Sequence, residues 1–265
     1  MKSRESVISV EPHLVSSAAK KRTLPRASST AFPDRVLVVG HAGGIGSALS
    51  AQLRAANVQV VGIDRRSSNI SQAQLQFRSR LRGHKSIGQS MKWLDRNGGL
   101  PSRVAITIGT YQRITLRDYT ERKFDDIMND NFSSIFWVAR EAALRMAQGK
   151  GGRIVIVSSQ AGVTGGGDPI YAAAKAATIA LSKSIAREFG QAGVRCNIVA
   201  PGPVDTQMAR TAMSKDRRSF YETAIPIRRF STAAEVAGVL MFLLTGDVDA
   251  VNGATFDIDG GLVRR

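Results

Sequence analysis

Two patterns of apolar and polar positions alternate along this chain. Five short, mostly apolar runs, VLVVG (36–40), VQVVGID (58–64), RVAITIG (103–109), GRIVIVSS (152–159) and VRCNIVAPG (194–202), have the near-continuous β-branched character of strands buried on both faces. Between them, GGIGSALSAQLRAAN (43–57) and the stretches 84–96, 120–148 and 169–189 read as helices. Strands alternating with helices predict an α/β fold in which a parallel sheet is covered on both faces. The richest apolar stretch, AGVLMFLLTG (237–246), is too short for a membrane span and suits a packed helix.

Residues 1–33 follow neither pattern. They are Ser-rich, carry six Lys/Arg against two Glu and lack the apolar stretch of a signal peptide. They are expected to be a disordered extension ahead of one domain over 34–265. A length of 265 residues leaves no clear room for a second domain.

Charge and cysteine content change the picture little. The formal net charge of +16 would suit an anionic partner. With no zinc spacing and no basic run interleaved with aromatics, it reads better as a solvated basic face than as a nucleic-acid surface. Cys196 is the single cysteine, so an intramolecular disulfide is impossible and a thiolate metal site is not expected; it fits a buried strand position in a reducing compartment, the cytoplasm.

Two constellations suggest chemistry. In VLVVGHAGGIGSALS a strand, a glycine-rich turn and a helix start follow in order, with Gly40, Gly44 and Gly46 spaced to let backbone approach a pyrophosphate at a helix N-terminus. Asp64 ends the next strand, 24 residues after Gly40, where a carboxylate can accept hydrogen bonds from an adenosine ribose. That carboxylate favours NAD. Arg65 and Arg66 follow it directly and leave NADP possible through a bidentate hold on a 2′-phosphate.

The second constellation is DPIYAAAKAA, with Asp168 as N-cap, Pro169 at the first helical position, and Tyr171 and Lys175 one turn apart on one face. A lysine cation lowers a neighbouring phenol's pKa, which a general acid/base requires. Tyr119 and Lys123 repeat the spacing, but only Tyr171 has a serine-bearing strand end before it, in SSQAG (158–162).

Taken together, GHAGGIG (40–46), NDNFSSIF (129–136), GRIVIVSSQAG (152–162), YAAAK (171–175), VRCNIVAPGPVDT (194–206) and FDIDGGL (256–262) make residues 35–262 resemble the short-chain dehydrogenase/reductase family. The resemblance implies a Rossmann-type, doubly wound parallel sheet of about seven strands and hydride transfer between a nicotinamide cofactor and a carbonyl or alcohol carbon. It implies Tyr171 as acid/base, Lys175 as its electrostatic partner at the nicotinamide ribose, Asn131 as holder of a proton-relay water, and a serine bonding the substrate carbonyl. Alignment on the strand end selects Ser159, whereas counting back from Tyr171 selects Ser158. Ile45, Gly109, Pro201, Gly202, Val204 and Thr206 fall at family cofactor positions. No metal is required. Two departures stand out: Val39 replaces the family's Thr before the first glycine, and 106–109 reads Ile-Thr-Ile-Gly instead of Asn-Asn-Ala-Gly.

Residues 205–230, where the family's substrate loop lies, mix Met208, Met213, Phe220, Tyr221 and Ile225 with Arg210, Lys215, Arg217 and Arg218. Those cations would meet an anionic substrate or an acidic carrier protein, as in the family's 3-oxoacyl reductases, or would form a solvated helix face. The resemblance further implies a homodimer or homotetramer acting on a small carbonyl or alcohol substrate. A noncatalytic dinucleotide-binding regulator is the alternative.

Overall fold

The apolar runs become the middle of one all-parallel sheet. In the computed structural model, residues 34–66 and 73–263 are described; the extension expected over 1–33 lies outside them. The strands are β1 (Arg35–Val39), β2 (Gln59–Asp64), β3 (Leu75–Arg78), β4 (Arg103–Ile106), β5 (Gly152–Val157), β6 (Val194–Pro201) and β7 (Thr255–Ile258), in the order β3-β2-β1-β4-β5-β6-β7. Registers such as Val38 opposite Gly62 and Ala105 are parallel throughout.

Period-two alternation divides the core between the two faces. From β1, Leu37 and Val39 enter one cluster with Met91 of α2 (Gly83–Arg96), Ile135 of α4 (Ser134–Gln148) and Ile185 of α6 (Pro169–Phe189). Val36 and Val38 enter the other cluster, with Leu49 of α1 (Gly44–Ala55) and Leu240 of α9 (Ala233–Thr245). Each such side chain, removed from water, contributes about 1.5–3 kcal/mol.

The differences from the expected elements place the site. β4 stops at Ile106 and β5 at Val157, two or three residues short of their apolar runs, so 107–109 and 158–160 are loop. The helix expected over 120–148 is α3 (Glu121–Met128) and α4, joined by a wider π turn at Asn129–Ser133. Residues 205–230 fold as α7 (Gln207–Ala212) and α8 (Lys215–Ala224), while α5 (Ala161–Thr164) follows β5. Because all strands run one way, their C-terminal ends share an edge. The chain reverses winding direction between β1 and β4, and a crevice opens there. No helix among the described residues is long and apolar enough to cross a membrane.

Candidate active site

The glycine loop after β1 is shaped by close approaches. Gly40 has φ +93°, and a Cβ on Gly46 would fall 2.1 Å from the Gly40 carbonyl oxygen, so strand end and helix start can meet only without side chains. Gly43, the N-cap of α1, offers no side-chain cap, which leaves the first N–H groups of that helix to a ligand. A Cβ on Gly44 would lie 2.7 Å from Thr206 Cγ2, so the loop packs directly against the turn after β6. This is a cradle fitted to a pyrophosphate.

The two departures from the family pattern are absorbed locally. Thr107 Oγ1 donates to the carbonyls of Val39 (2.9 Å) and Gly40 (3.2 Å), tying β4's end to the loop. Asp64 is buried; its Oδ2 accepts from Ala42 N at 3.1 Å and its Oδ1 from Arg66 N at 3.0 Å. Arg65 is exposed, and it is Arg66 whose guanidinium folds back onto the Ala42 carbonyl at 2.9 Å. His41, unremarked in the sequence, is buried beneath the loop where Gly62 leaves it room. A Cβ on Gly62 would sit 2.5 Å from its ring. Burial pushes the His41 pKa down, with Asp64 opposing and Arg66 reinforcing.

The chemical end is built from β5 and α6. Asp168 caps α6 by accepting from Tyr171 N at 3.0 Å, and that first turn places Tyr171 and Lys175 against the β5 end. Ser158 Oγ donates to the Lys175 carbonyl at 2.8 Å and is buried, which fixes helix to strand. Ser159 lines the cleft beside Tyr171, and its Oγ accepts from Ala161 N at 3.2 Å. Both serines border the cleft, and the bond to the Lys175 carbonyl is made by Ser158 alone.

Lys175 is buried, donates to the Val157 carbonyl at 3.1 Å and lies 5.8 Å from the Tyr171 ring centroid. Burial pulls its pKa down to about 8. Tyr171 is pushed up to about 12, first by burial, with the Ser159 hydrogen bond pulling the other way. Burial is thus the main influence on this phenol, while the Lys175 ammonium both bonds Val157 and lies over the Tyr171 ring.

Asn131 sits in the π turn, fully buried. Its Oδ1 accepts from Thr110 N and its Nδ2 donates to Ile127 O, both at 3.0 Å. Gly109 packs between the two groups, since a Cβ there would be 2.8 Å from Asn131 Oδ1 and 3.1 Å from Lys175 Nζ. Ile45, Gly109, Pro201, Gly202, Val204 and Thr206 line the same cleft as Ser159, Tyr171 and Lys175. Glycine loop and tyrosine helix therefore flank a single crevice.

A family model described as enoyl-(acyl carrier protein) reductase matches residues 40–263. The 3-oxoacyl-[acyl-carrier-protein] reductase MabA of Mycobacterium avium is 33% identical over 234 residues, 88% of this chain and 91% of that protein. The chain belongs to the short-chain dehydrogenase/reductase family. FabG of Escherichia coli K12, named for the same reductase activity, is 31% identical over 85% of this chain and 96% of its own length. A crystal structure described as ribose-5-phosphate isomerase from Brucella melitensis 16M aligns with TM-score 0.83 over 88% of this chain and 95% of that chain. Its 22% identity supports the fold alone.

As a short-chain dehydrogenase/reductase the protein is an NAD(P)-dependent oxidoreductase acting on CH–OH or C=O carbon. Tyr111 escaped the sequence reading: it packs edge-on to Tyr171, ring centroids 5.0 Å apart, from the loop after β4, where neither periodicity nor spacing gives a signal. Thr107, part of the departure at 106–109, braces the glycine loop.

Proposed function

We propose that this protein reduces a ketone to a secondary alcohol with NADH, using Tyr171 as proton donor and Ser159 as hydrogen-bond donor to the carbonyl. The observation that carries this reading is the meeting of Ser159 and Tyr171 in the crevice that the glycine loop also borders. The nicotinamide, when bound, supplies the hydride. A phenol held near pKa 12 is protonated at neutral pH, which suits it to deliver its proton to the oxygen of a carbonyl being reduced. Ser159 shares that oxygen and stabilises its growing negative charge. Lys175 faces both Gly109 and Tyr171, where its ammonium steadies the phenolate once the proton has left. Asn131, held by Thr110 N on Oδ1 and by Ile127 O on Nδ2, would hold a relay water from its place in the π turn.

The names of the relatives make a 3-oxoacyl thioester the substrate class to try first. Asp64, an anion at the ribose end, supports NAD over NADP. A cytoplasmic homodimer or homotetramer of the 34–265 domain completes the proposal. The test is a fluorescence titration with NADH and NADPH followed by turnover of a 3-oxoacyl thioester. Binding of NADH about tenfold tighter is expected, on the scale of one charge-assisted hydrogen bond. NADPH preference would overturn the NAD assignment, and binding of neither would overturn the enzyme reading.

A further inference from the structure

The structure separates Arg210, Lys215, Arg217 and Arg218 of the 205–230 segment. Arg210 and Arg218 both reach Asp205 Oδ1, at 3.0 and 3.1 Å, and Arg218 also holds Glu222 at 2.8 Å. Lys215 is exposed at the start of α8. Arg217 alone of the four lines the cleft. Its Nη2 is 3.3 Å from the Tyr221 hydroxyl, and its guanidinium carbon lies 5.5 Å from that ring's centroid. A Cβ on Gly167 would fall 3.3 Å from Nη2, so the glycine leaves the room the guanidinium occupies. Among the described residues no carboxylate stands within 4.0 Å of Arg217.

This cation is close to the chemistry. Its charge acts on Tyr111, whose ring is edge-on to Tyr171. Arg217, Tyr111 and Tyr171 all line this one cleft. A guanidinium held by a ring face and one neutral hydroxyl keeps most of its donors open, in a fork that matches an oxyanion. The apolar side chains of Met208 and Met213 line the same cleft and suit an uncharged connecting chain.

Resting on the ketoreductase reading, the geometry points to Arg217 as the anion anchor of the substrate site: the substrate carries a carboxylate or phosphate oxyanion at a distance from its reacting carbonyl. Arg217 is a specificity-determining residue. A carboxylate would belong to an oxo-acid, a phosphate to the carrier arm of a thioester.

The test uses the full chain as wild type, Arg217→Met and Arg217→Lys, with oxo-acids of increasing length from 4-oxopentanoate to 7-oxooctanoate beside their methyl esters. In parallel, acetoacetyl-CoA is compared with the acetoacetyl thioester of N-acetylcysteamine, which lacks phosphate. Wild type should favour the charged member of one of the two sets by roughly ten- to a hundredfold in kcat/KM, the range of a charge-assisted hydrogen bond. Arg217→Met should erase that preference while leaving the neutral member within about threefold, and Arg217→Lys should restore part of it. Preference within the oxo-acids assigns a carboxylate, and preference for the CoA thioester assigns a phosphate. Calorimetric titration of the same pairs in the three proteins reads the anion preference without turnover. If wild type reduces none of the ketones with either nucleotide, the reductase reading fails, and the titration still decides Arg217. Equal treatment of charged and neutral members by wild type in both assays, or a preference that survives Arg217→Met, overturns the proposal.

Discussion

Tyr171 with Lys175 and Tyr119 with Lys123 have the same spacing, yet they do different work. Tyr171 and Lys175 open α6, where the cap fixes the helix against the end of β5 and both side chains line the cleft. Tyr119 precedes α3 and points its hydroxyl into the Asp168 carboxylate, while Lys123 is exposed and donates to the Asp118 carbonyl at 2.9 Å. Burial and then the Asp168 hydrogen bond push the Tyr119 pKa up, so this phenol is a committed donor to Asp168. The two pairs meet at Asp168, which caps the Tyr171 helix and accepts from Tyr119. Spacing brings a tyrosine and a lysine together; the element they sit on decides whether the pair reacts or braces.

The largest effect expected from breaking this contrast comes from Tyr171→Phe. It removes the proton donor and leaves the ring packed against Tyr111, so turnover should fall by about a thousandfold or more. NADH affinity and thermal midpoint should stay near wild type. Steady-state rates set beside a cofactor titration check this, and turnover within tenfold of wild type would sink the assignment.

The adjacent serines come next. Ser159→Ala should reduce kcat by about a hundredfold with little change in stability, as for loss of one donor to a developing oxyanion. Ser158→Ala should do the opposite: it strips the buried bond to the Lys175 carbonyl and costs about 1–2 kcal/mol, with activity falling far less. Kinetics and urea melts of both variants separate the roles, and the reverse pattern would move the chemistry to Ser158.

Much of this contrast was legible in the sequence, though unevenly. β1, β2, β4, β5 and β6 announced themselves because strands buried on both faces must be mostly apolar; β5 is buried at all six positions and only Arg153 among them is charged. β3 and β7 have only four residues each and alternate or mix partly exposed positions at the sheet edges, so no apolar run marks them. The choice between the serines depends on where β5 stops, which needs the register with β6, and Val157 opposite Val199 is its last pair. Arg210, Lys215, Arg217 and Arg218 looked alike because their difference lies in which of them meets Asp205 or Glu222. The burial of Tyr171 and Lys175 was not legible, because a sequence shows that two groups are near but not how much water each has lost.

That loss of water gives Lys175 a signature in stability. Its folded pKa of about 8 lies below the 10.5 of a free lysine, so the folded chain releases this proton first. The cost is fully present below pH 8. Between pH 8 and 10.5 the unfolded chain binds more protons, and stability therefore rises with pH. Tyr171 acts oppositely, but only above pH 10, where the unfolded chain loses a proton that the folded chain keeps to about 12. Wild type should thus gain on the order of 2 kcal/mol relative to Lys175→Met between pH 8 and 10. Urea melts across that interval measure it, and parallel profiles would mean that Lys175 is solvated.

The smallest effect on activity is expected at the other pair. Tyr119→Phe leaves the Asp168 carboxylate buried with Tyr171 N at 3.0 Å and Ile114 N at 3.3 Å still donating, so the α6 cap survives with one donor fewer. A hydrogen bond to a charged acceptor contributes about 1.5–3 kcal/mol, and the variant should lose stability near the lower end of that range because two donors remain. Turnover should stay within about threefold, since Tyr119 does not itself line the cleft and meets it only through Asp168. The quantity to follow is the ratio of the two losses across Tyr119→Phe and Tyr171→Phe: stability falls in the first and rate in the second. A Tyr119→Phe enzyme that keeps its melting point and loses its rate would make Tyr119 part of the proton path through Asp168, and the division between the pairs would have to be redrawn around that carboxylate.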